Sequence, residues 1–358
     1  MHSKQVGPLP IHKMTLPREV IVGDGTINLV IEVCKKLGLF KSILIVTGPK
    51  TFEIAGQKVM DLLKDHGVNV NYVITSSPTI NDVKIVEERI ERENPQLVLG
   101  IGGGAKIDIA KLSSAHKGIP FISIPTTASH DGIASPFVSL KGLNKPYSLK
   151  GQSPIAIIAD TDIIAQAPHR FVASGCGDVI AKFTAVRDWR LARDVKGEYY
   201  GEYAASLALM SAKLIIKNVE AIQSRSKEGL RVLLEALISC GVAMSIAGSS
   251  RPCSGSEHLF SHALDIITPK PAMHGEQCGV GTIMMAYLHG ADWRLIRDTL
   301  QKVGAPTTAR ELGMKPEDII KALVKAREIR PERYTILNEK MLNYDSAEKL
   351  ARAVGVIN

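Results

Sequence analysis

The sequence predicts an α/β N-terminal half with a Rossmann-like, doubly wound parallel sheet, followed by an all-α C-terminal half. Three observations carry this. From residue 20 to about 160, short β-branched apolar runs alternate with amphipathic stretches, the pattern of strands joined by crossover helices. The runs are apolar almost throughout, as strands covered on both faces must be. After Pro168 strand signals stop and long amphipathic windows continue to the C-terminus. A chain of 358 residues exceeds the roughly 100–200 of one typical domain, so two are expected, 1–166 and 167–358.

The strand runs are 43–47, 70–75, 97–101, 121–124 and 155–159, and the intervening segments 52–66, 81–93 and 104–117 carry apolar residues at helical spacing. Residues 137–149 contain two short strand-like runs among Gly, Pro and polar residues and read as a surface hairpin. Beyond the sheet, windows such as 203–216 and 230–238 are amphipathic helices, and no internal repeat is visible.

Composition narrows the class. Hydrophobic residues make up 45% and charged residues 22%, which excludes a disordered chain. The net charge of +8 arises from 44 basic residues interspersed with 36 acidic ones, without a basic arm, so no nucleic-acid partner is expected. The first twenty residues lack the apolar core of a signal peptide, and no later stretch reads as a membrane span, so a cytoplasmic location is expected. Five scattered cysteines form no Cys-x-x-Cys pair and signal neither a disulfide framework nor a cysteine zinc site.

Chemistry enters at the glycines Gly102, Gly103 and Gly104, between a buried strand and a helix start. Glycines let the backbone approach phosphates, and a helix N-terminus offers unpaired N–H groups and partial positive charge, so 1–166 is expected to bind a dinucleotide. The spacing is not Gly-x-Gly-x-x-Gly and lies on a later strand than a Rossmann fingerprint. Hydroxyls of Thr126, Thr127 and Ser129 follow the next strand.

In the helical half, Ser254-Gly-Ser-Glu257 reads as a capping signal that starts a helix at about residue 255 and puts His258 and His262 on one face. His274 follows in Pro271-Ala-Met-His-Gly-Glu276. Asp178, in Gly175-Cys-Gly-Asp178, is read as opening a helix that runs on through Lys182. Such groups suit a divalent metal with an open position, although their spacing forms no compact local motif.

Taken together and in order, Gly102-Gly-Gly-Ala-Lys-Ile-Asp108, Pro125-Thr-Thr-Ala-Ser-His-Asp-Gly132, Gly175-Cys-Gly-Asp178, Gly255-Ser-Glu-His258, Met273-His-Gly-Glu-Gln277 and Arg330-Pro-Glu-Arg-Tyr-Thr-Ile-Leu337 resemble the iron- or zinc-dependent polyol dehydrogenases related to dehydroquinate synthase. The likeness runs nearly end to end and is strongest to their archaeal sn-glycerol-1-phosphate dehydrogenase branch. It implies a dehydroquinate synthase-like fold, NAD or NADP as cofactor, one divalent metal taken as zinc before iron, and a homo-oligomer. By the same resemblance Asp178, His258 and His274 hold the metal, and Asp131, Asp178 and His262 reach the substrate. The cofactor falls to Gly104, Ala105, Lys106, Ile107, Asp108, Thr126, Thr127, Ala128, Ser129 and Ser135. The implied reaction is reduction of dihydroxyacetone phosphate to sn-glycerol 1-phosphate for ether phospholipid synthesis, with a glycerol dehydrogenase or a dehydroquinate synthase-like lyase as alternatives.

Overall fold

The computed structural model describes residues 11–140 and 148–358. Six parallel strands form the main sheet: β1 (Glu19–Gly23), β2 (Ser42–Thr47), β3 (Asn69–Ile74), β4 (Leu97–Gly102), β5 (Phe121–Pro125) and β8 (Ala156–Asp160). Their order is β1-β8-β5-β4-β2-β3. Side chains on a strand alternate between faces. Thus Ile43 and Ile45 enter one apolar cluster with helices α1 (Val30–Leu37) and α2 (Gln57–Asp65), while Leu44 and Val46 enter another with α3 (Ile80–Glu93) and α4 (Gly104–His116). Double coverage holds for the inner strands. At the edge, β3 leaves Tyr72 and Ile74 exposed because no strand flanks it on that side.

Edge strand β1 is absent from the expected set. Its run Glu-Val-Ile-Val-Gly is half-buried and short, and it is fixed by pairing with β8 at the far end of the domain sequence. The expected hairpin is present, β6 (Phe137–Ser139) pairing antiparallel with β7 (Ser148–Lys150); residues 141–147 lie outside the described ones, as do the first ten.

After β8 the described chain is helical. Numbering only helices of eight or more residues, it contains α5 (His169–Ile180), α6 (Lys182–Lys196), α7 (Glu202–Lys217), α8 (Lys227–Ala247), α9 (Ser256–Ile267), α10 (His274–Leu288), α11 (Trp293–Lys302), α12 (Pro316–Ile329) and α13 (Tyr344–Ala353). The cluster on the α3/α4 face of the sheet runs without a break into these helices, through Cys176, Leu233, Phe260 and Ile283. Helix α8 is long and apolar enough to cross a membrane by length and composition, which corrects the expectation that no stretch is; 72% of its most apolar window is buried inside the protein.

Strand order sets the site. The chain leaves β2 toward β3 on one side and β4 toward β5 on the other, so a crevice opens beyond the carboxyl ends of β2 and β4, where α/β sheets hold ligands.

Candidate active site

A cavity of about 900 Å³ lies in that crevice, between the loops after β2, β4 and β5 and the helices α5, α9 and α10. Gly103, Gly104, Ala105, Lys106, Asp108, Thr127, Ser129 and Ser135 line it. Ile107, Thr126 and Ala128 are buried beside it in the core. The His130 ring packs directly on Gly104, where a Cβ would sit 1.7 Å from its Nε2 and would force the ring to move. His130 is in turn fixed by the Gly132 N–H, which donates to its Nδ1 at 2.9 Å. Lys106 donates to the carbonyls of Thr75 and Ser76, both at 2.7 Å, and so ties the glycine loop to the end of β3. Asp108 holds Lys111 at 3.0 Å and accepts from the Ser139 N–H, anchoring the hairpin against α4.

Across the cavity the expected metal groups converge. His258 and His274 have ring centroids 5.0 Å apart, and His258 Nε2 lies 3.5 Å from Asp178 Oδ1. His262, one turn beyond His258 on α9, stacks on His274 with centroids 5.8 Å apart. Two local readings need correction. Asp178 does not open a helix: it lies in the last turn of α5, which ends at Ile180 before α6 begins at Lys182. Ser254 is not the cap of α9 either, since the helix begins at Ser256 after Gly255. Glu257 has a different task from a capping partner alone. It accepts from the Gly255 N–H at 2.6 Å and holds His258 Nδ1 at 2.8 Å.

Helix contact brings the candidate ligands together. A Cβ on Gly177 would lie 2.2 Å from the Gly275 carbonyl oxygen, so α5 and α10 touch backbone to backbone. Asp178 follows Gly177 and His274 precedes Gly275, which places both beside the contact.

The donor set fits a divalent metal. Two imidazoles and a carboxylate are the ligand chemistry of catalytic zinc, and each ring is oriented by a second partner, His258 by Glu257 and His274 by Ser261 Oγ at 3.2 Å from Nδ1. Burial, then His258, pushes the His274 imidazole down to about 3, whereas His258 is raised well above the ordinary histidine value, burial being outweighed by Cys278 and then Asp178. Burial alone would raise Asp178, but Lys182 and then His258 outweigh it and hold the carboxyl well below the usual carboxylate range. Asp131 is pushed up by burial and by Asp178.

Three neighbours escaped the reading of the sequence. Lys182, fully buried, pairs with Asp178 at 2.8 Å and Asp131 at 2.9 Å. Its spacing of four residues from Asp178 was the available signal. Glu257 adjoins a ligand in sequence, but nothing marks it as more than a first-turn acid. Cys278 Sγ lies 3.6 Å from His274 Nε2, and with His258 it completes a cluster of groups able to hold a metal.

Residues 21–168 match the family described as iron-containing alcohol dehydrogenase. Over 347 residues the chain is 55% identical to the glycerol-1-phosphate dehydrogenase [NAD(P)+] of Pyrococcus furiosus, covering 97% of this chain and 100% of that one. The chain belongs to the glycerol-1-phosphate dehydrogenase family. A Methanosarcina mazei member of the family is 52% identical, with 96% of this chain and 97% of the relative covered. Among solved structures, the fold resembles that of glycerol dehydrogenase from Schizosaccharomyces pombe, with a TM-score of 0.80 at 23% identity over 96% of this chain and 90% of that one. Sulfoacetaldehyde reductase from Bifidobacterium kashiwanohense, solved with NAD+, shares it too, with a TM-score of 0.72 at 19% identity over 98% of this chain and 100% of the other.

Proposed function

We propose that this chain is an NAD(P)-dependent sn-glycerol-1-phosphate dehydrogenase that reduces dihydroxyacetone phosphate, the step that supplies the glycerol phosphate of ether phospholipids. The observation that carries this reading is one cavity that joins the glycine loop after β4 to the Asp178, His258 and His274 cluster. On this reading, 1–166 serves as the cofactor domain and 167–358 as the metal and substrate domain.

A divalent metal held by those three residues, with zinc preferred, supplies Lewis acidity toward the C2 oxygen, while the nicotinamide supplies the hydride. The remaining work is the chain's own. Gly104 and Ala105 bring backbone N–H groups, and Lys106 a cation, to the cofactor's phosphates. Ser129 and Ser135 offer hydroxyls along the same wall. Asp131 orients the substrate's hydroxyl while Lys182 fixes it against Asp178. His262 relays a proton to the substrate oxygen; burial pushes its pKa down, so the ring is neutral between transfers. No protein nucleophile is needed. The five cysteines are all free and buried, which suits a reducing cytoplasm, and the unit at work is a homo-oligomer.

The test is reduction of dihydroxyacetone phosphate by NADH and NADPH in zinc-loaded protein, with the product's configuration determined. Formation of the sn-1 enantiomer is expected. Absence of turnover with that ketone, or equal kcat/KM for dihydroxyacetone, would overturn the assignment.

A further inference from the structure

Lys106 starts in the glycine loop, yet its ammonium ends elsewhere. The stem leaves α4 across two strand ends that carry no side chain. A Cβ on Gly102, the last residue of β4, would lie 2.8 Å from Lys106 Cγ, and one on Gly48, just beyond β2, would lie 2.6 Å from Cε. The ammonium then reaches the end of β3, where the Thr75 and Ser76 carbonyls accept from it, so the side chain follows the strand order β4-β2-β3 along the carboxyl edge of the sheet. Thr51 and Pro78 line the cavity beside Lys106, and the crevice therefore extends to this corner.

The corner is built for an anion. A lysine ammonium has three donors, of which the two carbonyls take two. No salt bridge engages Lys106 among the described residues, whereas the buried lysines Lys111 and Lys182 are paired with carboxylates. The acid whose charge acts on Lys106 is Asp82, and it is committed to the Ser76 N–H at 3.1 Å and the Thr79 hydroxyl at 2.6 Å. Burial prevails over Asp82 and lowers the Lys106 pKa, as expected of a cation without a counter-charge. Position gives the anion an identity. In dinucleotide sites the adenosine ribose is read near a strand end, by an acid where its 2′-hydroxyl is free and by a cation where it carries a phosphate. Beyond β2 the residue is Gly48, and the space a side chain would fill there holds the Lys106 stem, with Nζ 3.5 Å from the place of a Cβ.

We infer that Lys106 is the specificity-determining cation for the 2′-phosphate of NADP(H), received in the corner between Gly48, Thr51 and the end of β3. Its remaining N–H and its charge meet the phosphate without breaking either carbonyl bond. Lys50 is exposed, so solvent screens it and its share is the smaller one. The inference rests on the dinucleotide reading above, and binding tests it separately from turnover. Dissociation constants for NADH and NADPH are measured by fluorescence titration of the full chain in the parent, in Lys106→Met and in Lys50→Ala. The ratio of the NADPH constant to the NADH constant is expected to rise at least about tenfold in Lys106→Met, the loss of one charge-assisted contact, and by less in Lys50→Ala. Lys106→Met should also stop distinguishing ADP-ribose from its 2′-phosphate ester as competitors. A parent that binds neither cofactor defeats the dinucleotide reading. A parent that binds NADH alone defeats the assignment to Lys106, as does an unchanged ratio in Lys106→Met or a larger rise in Lys50→Ala. Should Lys106→Met not fold, the parent decides: saturating NADP+ must slow reductive methylation of Lys106, read by mass spectrometry, more than saturating NAD+ does, and equal protection overturns the assignment.

Discussion

Lys182 is a residue whose meaning lies wholly in its surroundings. A fully buried ammonium is costly in isolation, yet here burial is outweighed by Asp131 and Asp178, which hold its pKa well above the ordinary lysine value. Substituting Lys182→Met should leave two buried carboxylates facing each other and lower unfolding free energy by about 3–5 kcal/mol, measured by denaturant titration of metal-free protein. A loss within experimental error would remove the pairing as a structural element. Bound zinc should soften the loss, since the cation takes over part of the neutralisation. At the cofactor end, β2 leads into Gly48-Pro-Lys-Thr51 with no acid placed to repel a ribose 2′-phosphate, and Lys50 is exposed there. Both NADH and NADPH should therefore support turnover, and Lys50→Ala should raise KM for NADPH alone. Strict NADH dependence in the parent would end that argument, and an unchanged NADPH KM in the variant would clear Lys50.

Between elements, the contact of α5 with α10 decides whether the proposed ligands Asp178 and His274 meet. Gly177→Ala forces a methyl against the Gly275 carbonyl, which the helices relieve only by separating. We expect a destabilisation of about 1–3 kcal/mol and a weaker zinc affinity by calorimetry, although no ligand has been altered. Unchanged affinity would show that the site tolerates the separation. This contact also marks the limit of what the sequence made legible. The inner strands and the helices at 80–93 and 104–116 follow from local periodicity, so they could be read within a residue or two. The candidate ligands Asp178, His258 and His274 drew attention through resemblance, since 80 and 16 residues of chain separate them and no local rule spans such gaps. Lys182 and Glu257 were missed because a buried lysine and a solvent-facing one look alike in a helical pattern. Likewise β1 is fixed by a partner strand more than 130 residues away in the chain, where periodicity carries no information.

At the scale of the whole molecule, folding and metal binding draw on different parts of the structure. One apolar cluster continues from the sheet through the helices, with residues such as Val98, Trp189, Leu237 and Met285 all within it, and a second fills the opposite face of the sheet. Burial of each large aliphatic side chain contributes about 1.5–3 kcal/mol, so dozens of them dominate the stability against which the three proposed metal ligands are a small addition. Removing the ion leaves charges that the chain itself can still balance, because Lys182 remains on Asp178 and Glu257 on His258. Exhaustive chelation is therefore expected to abolish turnover while circular dichroism keeps its helical signal and the protein still unfolds cooperatively. The melting temperature should fall by a few degrees at most, the part that ligation of the native state had contributed by mass action. Adding zinc should restore activity without a refolding step, and His274→Ala should resist that rescue while binding NADH as the parent does. Full turnover after chelation would remove the metal from the mechanism, whereas loss of the helical signal would show that the fold depends on the ion and that the two cores do not suffice.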